Sequence, residues 1–304
     1  MKSFRFSRKS ILRWGGTLLS LGLFGWLLAR QDWSVFWAYV YQIPPWVLLL
    51  AGGVFVLSNL GNAWRWQTVL RLGEIDIPYW VTAKIVFLGM FASNFLPSTI
   101  GGDAVRYLSL LRFTDKKGVG IVSLVVDRLL KMLSMLSLTP ISVALFAPLL
   151  GEILLGKPAA AGLALLPDRL KAWFKKGWAI LATWFQNPAA FGRAFGVGWL
   201  SMFPGFLGIF LVAKGLQMPV GLFQVIGATV ITYFLTLLPI SINGYGVREA
   251  LIAVLYVYLG ANAEQATALA LITRLMMLVA TLPGALWLPE ILAHSKQTVD
   301  EEEV

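Results

Sequence analysis

Two short polar stretches interrupt an otherwise apolar sequence, and they contain the residue types best suited to binding a charged ligand. The first runs from Asn94 to Arg106 and the second from Leu238 to Glu249. Both combine proline and glycine, which break helices, with arginine, which costs free energy in hydrocarbon. Such a segment survives at membrane depth only where protein or water satisfies its polar groups. The two stretches are therefore the first candidates for a buried polar site.

The two stretches are similar to each other in sequence. Aligned without gaps from Pro97 and Pro239, five of ten positions are identical, at a constant offset of 142 residues. The identical residues are Pro, Ile, Gly, Val and Arg, and Thr99 faces Ser241. This repeat indicates two halves that jointly build one polar site. The alternative is that both stretches are ordinary loops at helix ends, alike by chance in a glycine-rich chain.

Composition assigns the chain to the membrane proteins. Of its 304 residues, 58% are hydrophobic and 13% are charged, and the mean hydropathy is +0.75. That leaves too little polar surface for a soluble globule, so we expect an all-α polytopic integral membrane protein of about seven to nine membrane segments. The chain has no cysteine, and its one histidine, His294, follows the last apolar stretch. This excludes disulfides and thiolate metal sites.

The distribution of basic residues predicts the orientation. Residues 1–13 carry five basic side chains and precede the apolar run 14–29, after which no small-residue cleavage site follows. This favours an uncleaved first span over a signal peptide, with a cytoplasmic N-terminus in the plasma (inner) membrane. The net charge of +10 is attributed to topology and anionic lipid rather than to nucleic acid. We expect no cofactor and no metal ion.

Further spans and an interfacial segment are predicted along the chain. A second span covers 45–64 and ends at Trp64-Arg65-Trp66, and another covers 194–213. The basic and aromatic segment 152–177 is interpreted as a helix lying on the membrane surface, with a solvated linker as the alternative. Residues 1–293 are predicted to form one membrane domain, followed by an acidic disordered tail over 294–304.

Charge also predicts that some membrane segments are broken. If the run 79–96 crossed the membrane fully, the basic residues that follow would lie outside, so a re-entrant hairpin that turns back at 97–102 fits better. The stretch 118–150 is too long for one span and is also predicted to be broken or re-entrant. The corresponding loops of the second half hold almost no Lys or Arg. The halves, about 79–150 and 219–293, are therefore predicted to have inverted topology.

The charged residues within the apolar stretches are basic in excess. Six are basic and three are acidic, which leaves three uncompensated positive charges. They are Lys84, Arg106, Arg128, Lys131, Arg248 and Arg274, with Asp103, Asp127 and Glu249 as the acids. A purely structural network would tend towards neutrality, because an unpaired charge is costly in a low dielectric. The excess predicts an anionic ligand, and arginine is suited to phosphate.

Simpler explanations compete for some of these residues. The spacing of Asp103 and Arg106, and that of Asp127 and Lys131, also fits self-neutralising packing pairs on one helix. Lys84 is expected to extend towards the membrane surface. The predicted phosphate-binding residues are Arg106, Arg248, Arg128, Arg274, Asp103, Glu249 and Asp127. Polar residues that either contact the ligand or satisfy broken backbone are Asn94, Ser98, Thr99, Ser241 and Asn243, and the predicted helix-breaking residues are Pro97, Gly101, Gly102, Pro239, Gly244 and Gly246.

The combined motifs resemble the membrane domain of the lysylphosphatidylglycerol synthase/flippase family. They read Asn94-x-x-Pro97-x-x-x-Gly101-Gly102-Asp103-x-x-Arg106, then Asp127-Arg128, then Pro239-x-Ser241-x-x-Gly244-x-Gly246-x-Arg248-Glu249. The resemblance covers residues 11–293 and implies a multi-helix domain that moves an anionic or modified lipid between leaflets. Some relatives are linked to polyprenyl-phosphate lipids. Bifunctional members also carry a cytoplasmic aminoacyl-transferase domain, which this chain lacks, so we do not expect an enzyme.

The leading prediction is a lipid flippase or transporter that holds an anionic phospholipid or polyprenyl-phosphate lipid at an arginine-lined cleft between the halves. The alternative is a noncatalytic membrane partner of an envelope-lipid enzyme, and a homo-oligomer is compatible with either role. A less favoured prediction is an intramembrane aspartyl protease that uses Asp103 and Asp127. That chemistry needs two carboxylates that share a proton and are not neutralised by arginine.

Overall fold

The structure is a computed structural model, and it describes residues 33–95, 99–155, 188–237 and 246–287. Within these ranges the chain is helical, with short connections and no β-strand. The helices are α1 (Trp33–Gln42), α2 (Pro45–Leu72), α3 (Tyr79–Ser93), α4 (Thr99–Leu110), α5 (Lys117–Ser137), α6 (Thr139–Leu155), α7 (Pro188–Gly215), α8 (Leu222–Thr236), α9 (Val247–Tyr258), α10 (Ala263–Thr281) and a 3-10 helix (Leu282–Trp287). The predicted first span, most of the interfacial segment and the acidic tail lie outside the described residues.

Several helices have the length and composition of membrane spans. Helix α2, residues 192–215 of α7, and α10 with the following 3-10 helix are each long and apolar enough to cross a bilayer. Large apolar side chains are exposed on many helices, as expected where lipid replaces water. They include Trp46, Leu49, Leu57, Trp80, Leu200, Phe203, Phe223, Leu275 and Leu286. The predicted all-helical polytopic membrane protein is confirmed, whereas the number of seven to nine segments and the inverted topology stay predictions.

Proline and polar caps explain where helices begin and break. Helix α2 has Pro45 in its first turn, where the missing backbone N–H costs nothing. Helix α10 is capped by Asn262, whose side chain accepts a hydrogen bond from the backbone N–H of Gln265 at 2.7 Å. The stretch 118–150 breaks at Leu138, where α5 and α6 meet at 60°. Pro140 follows this break, and because it has no backbone N–H it cannot continue the hydrogen bonds of α5.

The most extensive helix interface joins α2 to α7 through small residues. A side chain at Gly61 would lie 2.8 Å from Cα of Ser201, and Ser58 Oγ donates to the carbonyl of Ser201 at 3.0 Å. Close backbone approach of this kind is how helices associate in lipid, where dispersion and hydrogen bonds replace the hydrophobic effect. Helix α2 continues to Leu72, beyond the predicted end of the span at Trp64-Arg65-Trp66, and the place where the span ends stays a prediction. Other helices bury Arg65.

Each polar stretch lies between two helices that pack against each other. Helix α3 packs on α4 in the first half, and α8 packs on α9 in the second. Gly101 and Gly102, predicted to lie in the first break, instead lie in the first turn of α4. A side chain at Gly102 would come within 2.5 Å of the carbonyl of Gly89, so glycine there lets α3 and α4 touch through backbone. Gly246 directly precedes α9 and has a φ of +78°, a conformation that favours glycine.

Candidate functional site

Four charged side chains of the first half join Arg65 of α2 in one alternating network built from three helices. Arg65 Nε of α2 donates to Asp127 Oδ1 of α5 at 2.7 Å. The second oxygen of Asp127 accepts from Arg106 Nη2 of α4 at 3.1 Å. Arg106 Nη1 also donates to Asp103 Oδ1 at 3.2 Å, and Asp103 Oδ2 accepts from Arg128 Nε at 2.5 Å. Each carboxylate therefore joins two guanidinium groups, and Arg106 joins the two carboxylates.

This network runs from the protein interior to an accessible edge. The side chains of Arg65 and Asp127 are each 4% exposed, and Arg106 is 11% exposed. Asp103 is 18% exposed and Arg128 is 43% exposed. A buried ion pair is stable only when further hydrogen bonds satisfy its remaining polar groups. The gradient leaves Arg128 as the member of the network that an incoming charged group reaches first.

Neighbouring side chains fix the buried arginines in place. The guanidinium of Arg106 lies 4.2 Å from the ring centroid of Trp66, in cation–π geometry. The indole N–H of Trp66 donates to Ser123 Oγ at 3.2 Å, which holds the ring. Arg65 Nη1 donates to Asn62 Oδ1 at 3.0 Å and to Ser201 Oγ at 3.3 Å. The two guanidinium groups are therefore pre-positioned rather than free to rotate.

The structure decides between the sequence explanations for the remaining basic residues. Asp127 pairs with Arg65 and Arg106, so the packing pair with Lys131 is not what neutralises it. The ammonium of Lys131 instead lies 5.4 Å from the ring centroid of Tyr233 on α8. The exposed Lys84 lies 5.6 Å from the ring of Trp287, which fits a lysine that extends towards the membrane surface.

The second half places its charged residues at the contact between α9 and α10. Arg248 Nη1 lies 2.9 Å from the thioether sulfur of Met277, a weak and neutral acceptor. Glu249 is fully buried, and its Oε2 accepts from the backbone N–H of Gly246 at 2.8 Å. The other oxygen, Oε1, lies 3.8 Å from Nε of the buried Arg274. Glu249 therefore caps the start of α9 and faces Arg274 at the same time.

Two interactions link the first half to the second. Lys131 lies within electrostatic range of Arg65, Asp127 and Arg128 and also of Arg248. Asn94, which ends α3, donates its side-chain N–H to Thr281 Oγ1 of α10 at 3.1 Å. Asn94 therefore links the first polar stretch to the second half.

Several predicted residues cannot be placed. Pro97, Ser98, Pro239, Ser241, Asn243 and Gly244 lie outside the described residues, as does the side chain of Thr99. Their predicted roles stay predictions. Within the described part of the chain, the acidic side chains do not form a group of three that could hold a metal ion.

Arg65 is the site residue that sequence reasoning missed. A pattern in α2 does contain the signal, because Ser58, Asn62 and Arg65 follow the i, i+4, i+7 spacing of one helix face. Ser58 and Arg65 both contact Ser201, and Asn62 accepts from Arg65. A polar face on a long apolar helix predicts an inward-facing site, whereas the flanking tryptophans suggested a membrane interface.

The fold and the site together define a helical membrane protein in which short, broken helices direct arginine and carboxylate side chains towards one another. The sequence model of the family described as the lysylphosphatidylglycerol synthase TM region matches residues 13–284. Because the match spans most of the chain, the protein belongs to this family, as the motifs predicted. It is thus a membrane protein of a lipid-modifying family. No curated protein matches the chain significantly.

Proposed function

We propose that the protein moves an anionic lipid between the two leaflets of the membrane. The lipid's phosphate would bind to arginines at the junction of the two halves, while its acyl chains stay in the bilayer. The observation that carries this proposal is the excess of positive charge in the interior of a membrane protein. The same phosphate chemistry accommodates a phospholipid or a polyprenyl-phosphate lipid.

The charged residues that lie close together in the structure support the proposal, because cations outnumber acids among them. The buried or half-buried cations are Arg65, Arg106, Lys131, Arg248 and Arg274, and Arg128 extends the network to the edge. The acids in the same clusters are Asp103, Asp127 and Glu249. The half-buried Glu264 lies in the first turn of α10, ten residues before Arg274, and is not counted with them. Among the described residues of the two clusters, six cations against three anions leave three positive charges, with Arg65 taking the place of Lys84 in the predicted set. Uncompensated charge at low dielectric is stabilised by a ligand of opposite charge.

A lipid fits this site better than a small soluble anion does. The helices that carry the arginines expose apolar side chains such as Ile121, Val122 and Val125 on α5, close in sequence to Arg128. A phosphate bound at Arg128 would therefore lie beside a surface suited to acyl chains. Family membership agrees with a lipid context. Alternating access in proteins with broken helices commonly comes from one half rocking against the other.

We propose transport without covalent chemistry. An aspartyl protease needs its two carboxylates in contact, sharing one proton. Here Arg106 lies between Asp103 and Asp127 and donates to both, so the two carboxyl groups bind a guanidinium group and not each other. The geometry therefore favours anion binding over acid–base catalysis. A noncatalytic partner role would need the same fold but no lipid movement, so a transport measurement separates the two.

The test uses purified protein in liposomes that contain a fluorescent phosphatidylglycerol. Wild-type protein should expose inner-leaflet lipid to an external quencher faster than protein-free liposomes do. Arg106→Gln and Arg248→Gln should abolish this gain. Arg71→Gln is the matched control, because Arg71 forms an exposed ion pair with Asp76 and should not affect transport.

Two results would contradict the proposal. If folded Arg106→Gln and Arg248→Gln both move lipid as fast as wild type, the phosphate assignment is wrong. If wild-type protein gives no gain over empty liposomes, the transport role fails and a partner role is favoured. Circular dichroism and thermal unfolding of each variant show whether a loss of transport reflects a loss of fold.

A further inference from the structure

We propose that Asp103 occupies the position of the lipid phosphate in the empty site, and that an anionic headgroup displaces it from Arg106 and Arg128. This inference rests on the proposed function and concerns how the same site is neutralised when no lipid is bound. It assigns Asp103 a role as an internal competitor of the ligand. The proposal is argued from the geometry of the network, its burial gradient and the difference between the two halves.

The geometry of Asp103 imitates that of a bound phosphate. Its two oxygens accept hydrogen bonds from two arginines on different helices, Arg106 of α4 and Arg128 of α5. A phosphate group presents two or more anionic oxygens and bridges arginines in the same way. The donors that hold Asp103 are thus already spaced for an oxyanion. Nε of Arg106 is buried and has no hydrogen-bond partner among the described residues, so one further donor lies next to the carboxylate.

Asp103 is the carboxylate that can leave, and Asp127 is not. Asp127 is almost fully buried and is held by Arg65, which Asn62 and Ser201 fix in turn. Moving Asp127 would leave buried charges without partners, which is strongly unfavourable. Asp103 is more exposed, and its partner Arg128 is the most accessible member of the network. A headgroup that arrives at Arg128 therefore meets Asp103 next.

Asp103 neutralises part of the positive charge of the site when no ligand is bound. Arg65, Arg106 and Arg128 lie close together, and Asp103 supplies one of the two described carboxylates that compensate their charge. Uncompensated guanidinium groups in a low dielectric are costly, so Asp103 stabilises the empty state. The consequence is weaker binding of the ligand, because the headgroup has to replace an existing ion pair. Weaker binding favours release, which a transporter needs on the far side of the membrane.

The second half has no carboxylate at the position that corresponds to Asp103. At the constant offset of 142 residues, Tyr245 stands where the first half has Asp103, and Arg248 corresponds to Arg106. The described partner of Arg248 is the neutral sulfur of Met277. A phosphate at Arg248 therefore displaces no carboxylate of this kind. Competition should be a property of the first half alone.

The test measures binding and does not depend on transport. Purified protein in detergent is titrated with short-chain phosphatidylglycerol, and calorimetry gives the affinity. Asp103→Asn should bind about tenfold more tightly than wild type, which corresponds to ~1.4 kcal/mol. Asp76→Asn is the matched control, because it removes the same charge from an acid that is 83% exposed in a surface ion pair. That control should change affinity by less than about twofold, since exposed charges are screened.

Further arms identify what the site binds. Short-chain diacylglycerol, which lacks the phosphate, should bind wild type and Asp103→Asn equally. If the site recognises the phosphate alone, inorganic phosphate should also bind Asp103→Asn more tightly than wild type. If the acyl chains are needed, only the affinity for the lipid should increase. Asp103→Glu, which keeps a carboxylate, should bind phosphatidylglycerol as weakly as wild type.

The remaining outcomes either contradict the role of Asp103 or separate it from the transport proposal. An unchanged or lowered affinity in folded Asp103→Asn overturns the proposal, as does an equal gain in Asp76→Asn. If Asp103→Asn and Asp103→Ser both fail to fold, Asp103 is a structural residue that a ligand does not displace. If Asp103→Asn binds more tightly while wild-type protein moves no lipid, the binding inference stands and the transport proposal fails. If Asp103→Asn does not bind more tightly while wild-type protein moves lipid, the binding inference is wrong and the transport proposal stands.

Discussion

The two halves of the protein place an arginine after the same Pro/Gly pattern but neutralise it differently. Arg106 in the first half donates to two carboxylates, Asp103 and Asp127. Arg248 in the second half contacts the thioether of Met277, while the neighbouring Glu249 binds the backbone N–H of Gly246. The repeat therefore keeps the arginine and changes its acceptors. In the first half the arginine is held by ion pairs, whereas the described side-chain contact of its counterpart in the second half is a neutral sulfur.

This difference shows that a repeated motif does not by itself define two equal binding sites. The identical positions set the helix break and the place of the arginine. The acids come from positions that the repeat does not share, such as Asp103, and from the following helix, such as Asp127. Under the proposed function, ligand affinity depends on those acids as well as on the arginines, because a headgroup has to displace Asp103 before it binds Arg106 and Arg128.

The largest expected effect follows from removing Asp127. Asp127→Asn should lower the free energy of unfolding by about 3–5 kcal/mol, because Arg65 and Arg106 would keep their buried charges without this carboxylate. Thermal or denaturant unfolding in lipid–detergent micelles, followed by circular dichroism, measures the change. Asp76→Asn, in an exposed ion pair, should change stability by less than about 0.5 kcal/mol. Equal effects of the two variants would mean that the first cluster is solvated, and the contrast between the halves would disappear.

A smaller effect is expected where the helices of the first hairpin touch. Gly102→Ala would place a methyl group against the carbonyl of Gly89 at 2.5 Å, so α3 and α4 would have to separate. We expect a loss of about 1–3 kcal/mol and weaker lipid binding at Arg106, which sits on the displaced helix. Unfolding and calorimetry measure the two changes.

The control for this variant is Gly52→Ala in the middle of α2, where an added methyl group meets nothing within 4 Å. It should cost no stability, because alanine is the better helix former. The position in α8 that matches Gly89 by the constant offset is Ile231, which is larger. The second half therefore does not share this backbone contact at that position. A harmless Gly102→Ala would show that the two helical pairs are held together in the same way.

Sequence reasoning recovered the class of protein, its family and most of the charged positions, because these depend on local composition and on fixed motifs. It also located the broken stretch that the structure divides at Leu138. It failed for Arg65, whose neighbours Trp64 and Trp66 are typical of a membrane interface. The carboxylate that pairs with Arg65 lies 62 residues further along the chain, on another helix. Local composition cannot distinguish an arginine that faces water from one that faces such a partner.

The start of α4 shows the same limit on a smaller scale. Two adjacent glycines predict a break, since glycine costs free energy in a helix. The structure keeps Gly101 and Gly102 helical, because the close approach of α3 requires a residue without a side chain at position 102. The contact that overrides the local preference comes from tertiary packing. The acceptor of Arg248 was missed for the same reason, since nothing local connects it to Met277.

A moderate effect is expected at the carboxylate of the second half. Glu249→Gln keeps an oxygen that can accept from the backbone N–H of Gly246, but it removes the negative charge that faces Arg274 at 3.8 Å. Because a hydrogen bond to a charged group is stronger than one to a neutral group, we expect a loss of about 1 kcal/mol. In denaturant unfolding, this variant should lose clearly less stability than Asp127→Asn does. A loss as large as that of Asp127→Asn would show that both halves depend equally on a buried carboxylate.

The smallest effect is expected at Met277. Met277→Leu keeps the side-chain volume and removes the sulfur that contacts Arg248, so stability should fall by about 0.5 kcal/mol, at the low end for a volume-conserving substitution. Because the thioether is a weak acceptor, it is also a weak competitor for Arg248. Calorimetry with short-chain phosphatidylglycerol should show a change of less than about twofold, against about tenfold for Asp103→Asn. If Met277→Leu raised the affinity as much as Asp103→Asn does, the second half would also be closed by an internal acceptor, and the two halves would differ in residue type but not in function.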